Sequence, residues 1–325
     1  MLALLDMHLR AGGSFLTALA GVLLIGKWII DLSVRNHIGE VIRSDGPASH
    51  ASKVGTPTMG GAAIIASVLA SAVIWTDILS GEILVLITCA VLFSLIGAAD
   101  DLLKLTGYRD GGLGARSKLA LQAAASLITV LLIYRTGSEG TTQVAIPWGS
   151  HRIVDLGGWY YLLAVVYITG FANSVNLTDG LDGLATGLAG IACAAVLAIA
   201  LAVSPEIAVF VFGLIGALAG FLVFNWKPAL MFMGDTGSEA LGGILAVLAL
   251  LLKAEVALVI IGGVFILETF SVIAQVTSYK LRRKRVLLMA PLHHHFELKG
   301  YREGYIVRRF YLAGTVLAVI GIMTV

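Results

Sequence analysis

Charge is what this sequence has least of. Lys and Arg number 22 and Asp and Glu 20, so charged residues make up 13% of the 325, against roughly 25% in soluble domains. A soluble fold of this length needs far more polar surface to cover itself. Hydrophobic residues reach 58% and mean hydropathy is +0.94. Together these numbers exclude a soluble enzyme, a disordered chain and a fibrous repeat, and leave a polytopic membrane protein. Cysteine is nearly absent: Cys89 and Cys193 lie in apolar stretches, which rules against a disulfide framework or a zinc cluster. A net charge of +2 gives no expectation of nucleic acid as a partner. The apolar runs are long rather than alternating in ten-residue units, which excludes a β-barrel. What is abundant is glycine, 38 residues, as close helix packing in lipid favours.

A span needs about 20 mostly apolar residues. Ten such stretches are expected, at 14–34, 58–76, 82–99, 117–134, 159–175, 184–203, 206–224, 238–253, 256–279 and 306–325. The chain thus reads as an all-α, multi-pass protein, one transmembrane catalytic domain over 1–325. The connector 135–158 contains Pro147 and Gly149 and has the makings of a small hairpin. Basic residues set the orientation. Seventeen of the 22 lie in or beside the loops 35–57, 100–116, 176–183, 225–237 and 280–305, leaving only Arg10, Lys27, Arg135, Arg152 and Lys253 elsewhere. The positive-inside rule puts those five loops in the cytoplasm. Ten spans then leave both termini periplasmic.

Each of the five loops carries a polar segment that lipid would otherwise exclude. Lys53-Val-Gly-Thr-Pro-Thr-Met-Gly-Gly61 opens the second span; Thr56 suits an N-cap and Pro57 the first turn, and a helix start near a lysine suits an anion. Asp100-Asp101-Leu-Leu-Lys104 ends the third. Two carboxylates at a helix C-terminus oppose the macrodipole unless Lys104 offsets them. Asn173, Asn176, Asp179 and Asp182 recur at intervals of three, beside Gly180 and Gly183, so successive side chains stay close together. Asn225 precedes Phe232-Met-Gly-Asp-Thr-Gly-Ser238, where Asp235 can cap a helix or hold a hard cation. Pro291-Leu-His-His-His-Phe-Glu297 places histidines side by side. Consecutive histidines fan out at about 100° and do not share one metal, but suit phosphate contact or proton handling. Oxygen-rich sites without thiolates favour Mg²⁺ or Mn²⁺. Such an ion with lysines and histidines is the equipment of phosphoryl transfer, and a site at the lipid boundary points to one lipid and one cytosolic substrate.

In sequence order, Gly-Thr-Pro-Thr-Met-Gly-Gly, Asp-Asp-x-x-Lys, Asn-Leu-Thr-Asp-Gly-Leu-Asp-Gly, Phe-Met-Gly-Asp-x-Gly-Ser and His-His-His-Phe-Glu resemble the phospho-N-acetylmuramoyl-pentapeptide-transferase branch of the polyprenyl-phosphate N-acetylhexosamine-1-phosphate transferases. The resemblance runs from Arg43 to Arg309, and the triple histidine favours this branch over those using UDP-GlcNAc or dolichol. It implies that UDP-MurNAc-pentapeptide and undecaprenyl phosphate give lipid I and UMP, with Mg²⁺, in a homodimer in a bacterial inner membrane. It implies that Asp235 binds the metal, that Asp100 and Asp101 engage the lipid phosphate or its proton, and that His294 is catalytic. Lys53, Thr58, Lys118, Asn176, Asp179, Asp182, Asn225, Phe232, Gly234, Ser238, Gln275, His293 and His295 fall at positions for nucleotide, sugar or nucleoside inhibitors, with Phe232 stacking on uracil. One departure is Glu239, which follows Ser238 where the family pattern has an apolar residue. Two other readings are a transferase using UDP-GlcNAc and a transporter. Transporters place charges at the bilayer midplane; here the acids lie at span ends, with Glu268 and Gln275 as the pair to watch.

Overall fold

The computed structural model describes residues 6–36, 39, 55–107, 111–136, 141–146 and 152–325. In chain order these form α1 (Met7–Arg35), α2 (Gly60–Trp75), α3 (Gly81–Leu105), α4 (Ala115–Arg135), β1 (Gln143–Ile146), β2 (Arg152–Asp155), α5 (Trp159–Thr178), α6 (Leu184–Val203), α7 (Pro205–Asn225), α8 (Asp235–Leu251), α9 (Glu255–Ile261), α10 (Gly263–Arg282), α11 (Leu292–Leu298) and α12 (Glu303–Ile322). Every expected span is met by helix. The strands pair antiparallel, Gln143 opposite Asp155 and Ile146 opposite Arg152, in the connector expected to hold a hairpin.

Two features depart from ten simple rods. Among the described residues, seven helices are long and apolar enough to cross a membrane, eight if α9 and α10 count as one; α2, with 16 residues, is short for the task, and so is α8, with 17. The stretch expected as a single span at 256–279 is broken, α10 turning 75° from α9 at the Gly262–Gly263 pair. Glycine pairs are a recognised cause of sharp kinks. The apolar run continues through the break, so hydropathy alone does not reveal it.

The second span also starts late. Instead of a cap at Thr56, residues 56–58 run beside the loop before α8, and Met59, the N-cap, takes a left-handed conformation. Phe232 donates its N–H to the Pro57 carbonyl at 2.8 Å, and Gly60 and Gly61 donate theirs to the carbonyls of Phe232 and Met233 at 2.9 and 2.8 Å. These bonds satisfy the first amides of α2, which need partners outside their own helix. The start of α7 follows the rule: the Ser204 side chain accepts from Ile207 N–H, with Pro205 in the first turn.

The helix that organises the bundle is α8. Every residue from Thr236 to Leu250 is buried, as expected of a helix apolar on all sides. It packs on α2, α3, α5 and α6. Its N-terminal residue, Asp235, therefore sits where several span ends meet. At the opposite end, one Arg10 guanidinium nitrogen lies 2.7 and 2.6 Å from the two Glu206 oxygens, and Arg10 Nε donates to the Trp75 carbonyl at 3.0 Å, tying α1, α2 and α7. Hydrogen bonds to charged groups contribute about 1.5–3 kcal/mol. Arg10→Ala is expected to lower the melting temperature in detergent while leaving turnover within twofold of wild type, because the contact lies at the far end from the carboxylates described next.

Candidate active site

Three carboxylates meet where α3 ends and α8 begins. Oxygens of Asp100, Asp101 and Asp235 lie within 4.8 Å of one another. Adjacent in sequence, Asp100 and Asp101 point about 100° apart on a helix and take different local tasks. Asp101 caps α8 from outside: its oxygens accept the N–H groups of Asp235 and Thr236, both at 3.0 Å, and the Thr236 hydroxyl at 2.6 Å. An anion there satisfies orphan amides and complements the helix dipole. Asp100 accepts the Leu113 N–H at 2.7 Å and meets Lys104 Nζ at 2.6 Å.

Asp235 is held from every side. Its Oδ1 accepts from Asn176 Nδ2 at 2.8 Å; its Oδ2 meets Lys104 Nζ at 3.0 Å and Lys118 Nζ at 2.6 Å. Asn176 also donates to Ser238 Oγ at 2.9 Å, and Ser238 donates to the Gly234 carbonyl at 2.9 Å. Lys118 reaches a fourth acid, Glu239, at 2.6 Å; that side chain is fully buried. The residue that departs from the family pattern is thus neutralised by a lysine of the site. Four acids and two lysines leave two formal negative charges among hard oxygen donors, which suits one divalent cation such as Mg²⁺ or Mn²⁺. Removing one partner of a buried pair costs about 3–5 kcal/mol. Lys118→Met is therefore expected to lower thermal stability sharply, and adding Glu239→Gln to restore part of it; an unchanged melting temperature in Lys118→Met would contradict the pairing.

The remaining expected site residues fall into two groups. Some complete the walls. Thr58 is buried in the segment that leads into α2, beside half-buried Phe232. Asp179 is the C-cap of α5. Asp182 accepts the Ala229 N–H at 3.1 Å and lines, with Lys227, Glu297 and Arg302, a cleft of about 490 Å³. The others are engaged in holding loops. Asn225 accepts from Gly183 N–H and Thr186 Oγ1 and donates to the Met231 carbonyl, at 3.1, 2.7 and 3.0 Å. Gln275 accepts from Val286 and Leu287 N–H and donates to the Leu287 carbonyl, at 2.9, 2.9 and 3.0 Å. The three histidines lie on the short helix α11. His293 is fully buried, His294 Nδ1 lies 2.7 Å from Glu297 Oε2, and His295 Nδ1 accepts the Leu288 N–H at 3.1 Å. Lys53 lies outside the described residues. Sequence reasoning left Lys104, Thr236 and Glu239 off the site. Lys104 carried a signal, four residues after Asp100, and Glu239 stood out as a charge where the family pattern has an apolar residue; Thr236 had none until α8 was placed against α3.

The profile of glycosyl transferase family 4 matches residues 83–253, the stretch holding all four acids. A phospho-N-acetylmuramoyl-pentapeptide-transferase of Rhodopseudomonas palustris (strain BisA53) is 41% identical over 333 aligned positions, covering 97% of this chain and 92% of that protein. The chain belongs to the phospho-N-acetylmuramoyl-pentapeptide-transferase family. For this transferase the five motif loops are the resemblance noted above, and the helices bring them to one end of the bundle.

Proposed function

We propose that this transferase moves phospho-MurNAc-pentapeptide from UDP-MurNAc-pentapeptide to undecaprenyl phosphate, releasing UMP and forming lipid I for peptidoglycan. The observation that carries the reading is Asp235, fixed by Asn176 and flanked by Lys104 and Lys118 with Asp100 alongside. Phosphoryl transfer depends on positioning and charge neutralisation, and this cluster supplies both.

The reaction is read as a direct in-line displacement. A phosphate oxygen of the lipid carrier forms a bond to the β-phosphorus, the one that bears the sugar. The bond from that phosphorus to the oxygen bridging the two phosphates breaks, and UMP leaves with the electron pair. Lys104 and Lys118 neutralise developing negative charge from preset positions. Asp100 orients the lipid phosphate or takes its proton, and Asp101 keeps Asp235 in place by capping α8. Mg²⁺ or Mn²⁺, held by Asp235 and Asp100, would supply further neutralisation of the pyrophosphate. His294 contacts phosphate, Asn176, Asp179, Asp182 and Ser238 line the sugar-nucleotide path, and Phe232 stacks on uracil, the place where nucleoside inhibitors would compete. The positive-inside distribution supports a cytoplasmic site and, with ten spans, periplasmic termini; the family resemblance is what supports a bacterial inner membrane and a homodimer, with the whole chain read as one catalytic domain.

Rapid quench separates this route from one with an aspartyl phosphosugar intermediate. Direct attack gives no labelled protein when UDP-MurNAc-pentapeptide is mixed with enzyme and Mg²⁺ alone; a phosphosugar–enzyme adduct formed without lipid refutes it. Offering UDP-GlcNAc in place of the MurNAc substrate tests the branch, and comparable turnover with it would favour the related GlcNAc-1-phosphate transferases.

A further inference from the structure

We propose that Glu268 is a positioning residue for transfer, fixing the triple-histidine helix against the loop that carries Asn176 and Asp179. The inference rests on the transfer reading above. Glu268 sits on α10 just past the 75° turn and is fully buried. Its Oε2 accepts the Leu292 N–H at 2.6 Å and its Oε1 the His293 N–H at 3.3 Å, so a side chain from another helix holds the first amides of α11. The same Oε1 lies 3.2 Å from His293 Nδ1. This is a close polar contact rather than an aligned hydrogen bond, and Nε2, on the far side of the ring, has no hydrogen-bond partner either.

That Nε2 points at Gly180. A Cβ built on Gly180 would lie 2.3 Å from it, so only glycine admits the ring this close. Gly180 follows Asp179 and sits four residues after Asn176, the residue that orients Asp235. His293 is therefore clamped between Glu268 on one side and the aspartate loop on the other. Its ring centroid lies 4.2 Å from that of His294, the two planes tilted by 60°, so His294 inherits its position from the clamp. Burying a carboxylate and an imidazole in a bundle this apolar is costly, and a satisfied apolar pair would hold two helices together as well. What the polar pair adds is direction, since it fixes the rotation of α11.

The test uses the full chain in detergent or nanodiscs, with UMP release as readout and four variants: Glu268→Gln, Gly180→Ala, His294→Ala, and Glu268→Gln with His294→Ala. Glu268→Gln turns one acceptor into a donor facing a backbone N–H; Gly180→Ala pushes the same ring from the opposite side. Both are expected to lower kcat by about 30-fold or more while KM for the UDP substrate stays within about threefold, and the double variant is expected to be no slower than His294→Ala alone, because residues acting as a unit are not additive. Diethyl pyrocarbonate labelling of His293, read by mass spectrometry, is expected to rise from near zero in wild type in both single variants. This readout needs no turnover, so a wild type that releases no UMP sinks the transfer reading while His293 protection still decides the clamp. Turnover within threefold of wild type in both single variants, multiplicative losses in the double variant, or unchanged His293 protection overturns the proposal.

Discussion

Asp235→Asn is expected to lower UMP release by a factor of roughly a thousand or more, the scale seen when a preset charge at a reacting centre is removed, while the protein stays folded. Asparagine has the same shape, and its carbonyl oxygen can still accept from Asn176. What disappears is the charge that Lys104 and Lys118 approach at 3.0 and 2.6 Å and the ligand best placed for a divalent ion. With one acid gone, the cluster keeps one formal negative charge instead of two, too little to draw in a divalent cation of the same strength. The loss should therefore not be recovered by raising Mg²⁺. Near-normal turnover at saturating Mg²⁺ would remove Asp235 from the metal role.

The second large effect comes from a residue that touches no substrate. Gly97→Ala on α3 would place a Cβ 2.3 Å from the Asp235 carbonyl oxygen, 2.4 Å from its carbon and 2.5 Å from the Thr236 nitrogen. These are backbone atoms of the first turn of α8, which cannot rotate aside as a side chain would. The two helices must separate by about an ångström, and the three bonds by which Asp101 caps α8 stretch together. Overpacking costs about 1–3 kcal/mol. A displacement of 1 Å at a reacting centre costs about 10²-fold in rate. Gly97→Ala is thus expected to lower both the melting temperature and kcat, the latter by about two orders of magnitude. Gly190→Ala on α6, where nothing lies within 4 Å of the new Cβ, serves as the control. Equal behaviour of the two variants would mean that the approach of α3 to α8 is not what places Asp235.

These two residues also mark where the sequence is readable and where it is not. Hydropathy governs which stretches are helical, so a helix was legible in each expected stretch, from 14–34 to 306–325. The break at Gly262 was not, because the residues on both sides are equally apolar. Thr56 and Pro57 carry a sound local capping signal, yet α2 begins at Gly60 because the loop before α8 supplies backbone partners that local propensity knows nothing of. In the site, spacing put Asp100 and Asp101 together at the end of the third span, where α3 ends, but could not tell which of them faces the first turn of α8. Asn225 and Gln275, read as ligand contacts, also hold the 225–233 and 284–288 turns through their amides, a role that spacing does not announce. The pairing of Lys118 with Glu239 joins distant positions on two helices, and no local pattern announces it. Family motifs name the loops; only the burial of α8 says why they converge on its N-terminus.

The most direct test of the central claim is reconstitution: purified full-length protein with UDP-MurNAc-pentapeptide, undecaprenyl phosphate and Mg²⁺, measuring UMP and lipid-linked phosphosugar together. The account predicts equal amounts of both products, lost when the lipid phosphate is left out, when Mg²⁺ is chelated, or in Asp235→Asn. UMP release that continues without the lipid, or no UMP at all with every component present, would contradict it.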